Sequence, residues 1–114
     1  MADDIVYINV EEGSKRVMNN TKLFAKLLLK FKDDPSFNEI EAAFAQKDMT
    51  KAQNSTHTLK GLAANLSLAE LFKQSQELES QIKAGFLNTD QFAVFKDSYN
   101  QTLMELDRVI NQYA

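Results

Sequence analysis

Cysteine is absent and histidine occurs once in the 114 residues, and these two scarcities remove most of the site chemistry open to a small domain. Without cysteine there is no disulfide, no thiolate metal site and no thiol nucleophile. A single imidazole leaves a zinc or copper site short of ligands, and no nucleophile elbow accompanies it to suggest a Ser-His-Asp arrangement. Glycine is almost as scarce. Gly13, Gly61 and Gly85 are too widely scattered to form a phosphate-cradling loop, so the chain has no means of holding ATP by itself. An excess of positive charge is missing too: 13 basic against 16 acidic side chains give a net charge of -3, which excludes the electrostatic footprint of a nucleic-acid or anionic-membrane binder. Long apolar runs are lacking. Ile5 to Ile8 and Leu27 to Leu29 fall far below the roughly 20 residues that span a bilayer, and no signal-peptide core follows Met1. These absences lead us to expect no membrane insertion, no metal, and a cytoplasmic address. Any phosphate chemistry must borrow its machinery from a partner.

What the chain does have is helical patterning from Val10 onward, with 44% hydrophobic residues, enough for one buried core. We expect a single all-α domain over 1–114: a strap and short helix over 1–20, then an antiparallel four-helix bundle over 21–114. Asn9 reads as the cap of a helix from Val10 to about Asn19. A second helix, from about Thr21 to Lys32, is expected to turn Leu23, Leu27, Leu28 and Phe31 inward. Asp34-Pro35 marks the start of a third, carrying Phe37, Ile40, Ala43 and Phe44. Asp48 caps a fourth helix through Leu66. Ser67 and Glu70 have capping-box spacing ahead of a fifth helix with Leu71, Ser75, Leu78 and Ile82 inward, which Gly85 closes with a left-handed residue. Asn88 or Thr89 starts the last helix, from about Asp90 to Tyr113, with Phe92, Phe95, Tyr99, Leu103, Leu106 and Ile110 on its core stripe. Ile5, Val6, Tyr7 and Ile8 have no partner strand and are read as an apolar strap on the bundle.

The lone histidine sits in the fourth helix, and a wheel of about 100° per residue tests whether it belongs to the core. With His57 at zero, Leu59 falls at about 200°, Ala63 at about 240°, Leu66 at about 180° and Ala52 at about 220°, so the apolar stripe is on the far side. His57 therefore faces water. Gln53, Lys60, Gly61 and Ala64 all lie within about 60° of it. A glycine inside a helix costs roughly 0.5–1 kcal/mol relative to alanine, and Gly61 points away from the core, so its use is external: it leaves bare surface on which another protein can approach the imidazole. Neutral imidazole is a good nucleophile, and a phosphorylated one carries negative charge that the neighbouring Lys60 ammonium can stabilise.

The stretch from Thr56 to Leu68, THTLKGLAANLSL, resembles the signature of histidine-containing phosphotransfer (HPt) domains, most specifically in its His-x-Leu-Lys-Gly core. The likeness extends from the helix of Leu23 to Phe31 through Asp34-Pro35 to the helix after Ser67. What the resemblance implies is a four-helix bundle presenting one exposed histidine. His57 would accept a phosphoryl group from a receiver-domain phospho-aspartate, or from a sensor histidine kinase, and pass it to another receiver. Lys60 matches the lysine near the phosphate, and Gly61 the small residue that permits docking, with Gln53 and Ala64 beside it. No cofactor is implied for this chain, since aspartate and magnesium belong to the receiver; such a domain is a monomeric carrier rather than an enzyme. Ser67 departs from the pattern, because many members have glycine in that turn. The alternative is a helical adaptor that is never phosphorylated, whose functional surface would be a large exposed apolar patch.

Overall fold

The computed structural model describes residues 5–113, so the parts of the expected strap and bundle that fall on residues 1–4 and 114 lie outside the described residues. Helix α1 (Val10–Lys15) starts as expected, with the Asn9 side chain accepting the Glu12 N–H at 3.1 Å. It stops well short of Asn19, because Met18 and Asn19 adopt left-handed backbone with φ of 58° and 62°. The Asn19 N–H closes this reversal by donating to the Ser14 carbonyl at 2.8 Å. Asn20 then caps α2 (Thr21–Phe31) through the Leu23 N–H at 2.9 Å. Phe24, Leu28 and Phe31, spaced i, i+4 and i+7, form the buried face of α2. The expectation for Leu23 was wrong: it is 40% exposed. On the wheel it lies about 140° from Leu28, whereas Phe24 lies about 40° away and takes the inward place. Leu27 is only half-buried.

Four further helices carry the rest of the chain: α3 (Ser36–Gln46), α4 (Met49–Asn65), α5 (Ala69–Lys83) and α6 (Thr89–Tyr113). Asp34 accepts the Ser36 N–H at 2.8 Å ahead of α3, and Asp48 accepts the Lys51 N–H at 3.0 Å at the head of α4. At the far end of α5, Gly85 has φ of 99°, its N–H donates to the Ile82 carbonyl and the Phe86 N–H to that of Gln81, which is a Schellman motif. Asn88 caps α6 through the N–H groups of Asp90 and Gln91. The expected capping box at Ser67 does not form. Leu68 occupies the cap position without a side-chain bond, while Ser67 is buried with φ of 55° and donates its hydroxyl to Glu12 at 2.8 Å. Glycine adopts left-handed backbone at no steric cost, so Ser67 takes up here the conformation that the glycine of the family pattern suits.

Short connections make consecutive helices antiparallel, and cross-contacts show the same for the first and last of the four. Phe37 stacks on Tyr99 at 4.1 Å, Phe44 on Phe92 at 4.6 Å, and Glu41 pairs with Lys96 at 2.9 Å between them. The bundle is thus α3 to α6, with α2 packed on α6 and α1 on α2. Its two sides are built differently. Aromatic rings fill the space between α3 and α6, whereas α4 meets its neighbours mainly with small side chains, Ala52, Ser55, Thr56 and Ala63, around the single large Leu59. Each fully buried Leu or Phe of this core contributes roughly 1.5–3 kcal/mol. Of the expected strap, Ile8 packs on the core and the Asn9 N–H donates to the Ser67 carbonyl at 2.9 Å, but Ile5 and Val6 are half-exposed and cover nothing.

The attachment of α1 depends on a close approach. A Cβ on Gly13 would stand 2.4 Å from the buried ring of Phe24. Gly13→Ala should therefore lower stability by about 1–3 kcal/mol, seen as a reduced urea midpoint with an unchanged slope.

Candidate functional site

Helix α4 buries Thr56 and Leu59 on either side of His57 in the sequence, and this fixes the imidazole on the outer surface. The side chain of His57 is 69% exposed. Its ring is nevertheless held, because Nδ1 lies 2.9 Å from Oε2 of Glu79 on α5. Glu79 is the central group of the site. Only 3% of its side chain is exposed, and three cationic or potentially cationic groups converge on its two oxygens. Lys60 approaches Oε1 at 2.5 Å, and Lys83 approaches Oε2, the oxygen shared with His57, at 3.7 Å.

Electrostatics decide which atoms carry protons. Burial pushes the Glu79 carboxyl upward, but the hydrogen bonds from Lys60 and His57, with the charges of Lys60 and Lys83, outweigh it and hold the group below the usual carboxylate range. Glu79 is therefore an anion at neutral pH and can only accept. The proton between it and His57 must sit on Nδ1, so Nε2 faces away from Glu79 and is the nitrogen left to carry a lone pair.

The other expected residues fall on the same face. Gly61 is exposed, with nothing within 4 Å of a built Cβ. Gln53 and Ala64 are half-buried at its edges. Ala64 also lines a shallow groove with Ala63, Leu68, Ala69 and Phe72, rimmed by Glu12 and Arg16 of the α1 region. The ammonium of Lys60 is bound to Glu79. Glu79 itself was missed. A signal existed, since it lies four residues after Ser75 and three before Ile82, on the stripe expected to be apolar, and a carboxylate there demands compensation. Among the described residues, no cluster of three or more His, Asp or Glu side chains is arranged to hold a metal ion.

Because the carboxyl of Glu79 is depressed by folding, its contribution to stability is present above its unfolded value of about 4.5 and is lost as pH falls through the lower folded value. Glu79→Gln should flatten the acid limb: the variant is expected to be less stable than the wild type at pH 7, with the difference shrinking as urea titrations are carried from pH 6 to pH 3.

The family model described as Hpt domain matches residues 34–112, which takes in α3 to α6 and with them His57, Lys60, Gly61, Glu79 and Lys83. Comparison with curated proteins and with solved structures gives no match. Among the described residues no helix is long and apolar enough to cross a membrane. With the match covering well over half of the chain and all four helices of the bundle but the last residue of α6, this protein belongs to the Hpt domain family of helical bundles that carry phosphoryl groups in two-component signalling.

Proposed function

We propose that this protein is a phosphorelay intermediate in which Nε2 of His57 reversibly accepts a phosphoryl group from the phospho-aspartate of a receiver domain, or from a sensor histidine kinase, and passes it to another receiver. The observation that carries this reading is the pairing of an exposed imidazole with a buried, ionised carboxylate at its Nδ1. In the transfer, the Nε2 lone pair attacks phosphorus, the Nε2–P bond forms, and the aspartyl O–P bond breaks with its electron pair leaving on the carboxylate. No proton has to move. The ring keeps its Nδ1 proton and becomes cationic, and Glu79 stabilises that charge as it develops. Return transfer runs the same steps backward.

This chain's work is positioning and charge, which are the main requirements of phosphoryl transfer. Magnesium and the aspartate belong to the receiver. Glu79 locks the ring orientation, while Lys60 and Lys83 bring positive charge to the site. Gly61, Ala64 and Gln53 form the face on which the receiver seats. We read the protein as a monomeric cytoplasmic carrier that consumes no substrate of its own and needs no cofactor. The surroundings of His57 favour this over a phosphorylation-independent adaptor, since they are polar and small rather than an apolar patch.

Incubation with a phosphorylated receiver should yield a phosphoprotein that is labile in acid and stable in base. Label that persists in His57→Gln would overturn the assignment. Gly61→Leu should keep or raise the thermal midpoint, since the added side chain starts in open space, yet slow transfer from the receiver by about tenfold or more through obstructed docking. A large loss of stability would instead place Gly61 in internal packing.

A further inference from the structure

We propose that the outer face of α2 is a docking surface for an anionic lipid bilayer, holding the protein at a membrane surface with His57 open to its partners. The net charge of -3 argued against anionic surfaces, but the charges are unevenly spread. Residues 13–32 contain six basic side chains, Lys15, Arg16, Lys22, Lys26, Lys30 and Lys32, and no acidic one. Three of these are paired: Lys15 with Glu11, Arg16 with Glu12, and Lys32 with Asp107. Lys22, Lys26 and Lys30 are exposed and, among the described residues, form no ion pair. With Lys26 at zero on the helical wheel, Lys22 and Lys30 lie about 40° to either side, and Leu29 and Leu23 about 60°. The buried Phe24, Leu28 and Phe31 lie at about 140° or more. The outer face thus mixes free lysine with uncovered apolar side chains: Leu29 is 52% exposed, and Met18, in the reversal ahead of α2, is 92% exposed. Asp33, just past the end of α2, is the acid nearest to this face in the sequence.

The residue types select the partner. Lysine is a hydrated point charge that does not grip a carboxylate bidentately and is depleted from protein–protein interfaces, so three lysines without arginine suit diffuse negative charge better than an acidic protein surface. A nucleic-acid backbone would use the charges and leave the leucines idle. Lipid headgroups use both: the ammonium groups stay at the level of the phosphates while Leu23, Leu29 and Met18 enter the boundary beneath. Position agrees. Helix α2 packs on α6, the helix diagonal to α4 in the bundle, so a bilayer against its outer face leaves the imidazole clear.

The test is sedimentation of the full chain with vesicles of phosphatidylcholine, alone or mixed with phosphatidylserine. Binding is expected with phosphatidylserine and not without it, and it should weaken as salt rises. Each lysine near such a surface strengthens binding about fivefold, so the combined variant Lys22→Gln, Lys26→Gln, Lys30→Gln should bind about a hundredfold more weakly, with an unmoved urea midpoint. Changing Lys47, Lys51 and Lys73 to Gln alters the net charge equally but should weaken binding by no more than about threefold. Leu29→Ser, which keeps every charge, should weaken it by about threefold or more. Equal binding to the two kinds of vesicle, binding to neither, or an equal loss in the two triple variants overturns the proposal. Binding of poly-glutamate or duplex DNA as tightly as the anionic vesicles assigns the face to another class of partner and likewise overturns it.

Discussion

A carboxylate with almost no access to water organises this molecule's functional face. Glu79 could not remain ionised inside the α4–α5 seam without compensation, since desolvation alone favours its neutral form. Three groups supply it, from two helices: His57 and Lys60 of α4, one turn apart, and Lys83 of its own helix. The same contacts that make Glu79 tolerable orient the imidazole, assign its Nδ1 proton and concentrate positive charge beside it. In the proposed function, stability and reactivity are two consequences of that one buried charge.

The scaffold makes this possible by an unequal distribution of side-chain volume. Helix α4 offers its neighbours Ala52, Ser55, Thr56 and Ala63, so a carboxylate on α5 needs only its own short side chain to reach the imidazole at the rim. On the other side, the stack of Phe37, Tyr99, Phe44 and Phe92 fills a wider gap between α3 and α6. Large rings supply much of the apolar burial away from the site, and small residues supply close approach beside it. Outside the bundle, α1 is tied to the α4–α5 turn by Asn9 and Glu12, which meet the left-handed Ser67.

Much of this was legible in the residues. Caps at Asn9 and Asp48 and the left-handed Gly85 announced their helix ends, because each satisfies or releases backbone groups within a few residues of itself. The outward His57 and open Gly61 followed from angular position on one helix. The error at Leu23 was local, since periodicity with Leu28 and Phe31 already favours Phe24, whose ring packs beneath Gly13 of α1. Elsewhere competition was not local. Ser67 has the spacing of a capping box, but its turn needed a left-handed residue and its hydroxyl found Glu12, 55 residues earlier in the chain.

The sequence by itself determined the class of fold, the helix punctuation, and a single imidazole set on the face opposite the core, since periodicity and capping are properties of neighbouring residues. Only the tertiary structure decided what that imidazole meets. Glu79 lies 22 positions away along the chain, so its hydrogen bond to Nδ1 exists only once α5 has packed against α4. Lys60 was visible as a cation beside His57, but its engagement with a buried anion was not, because burial is a property of the assembled bundle.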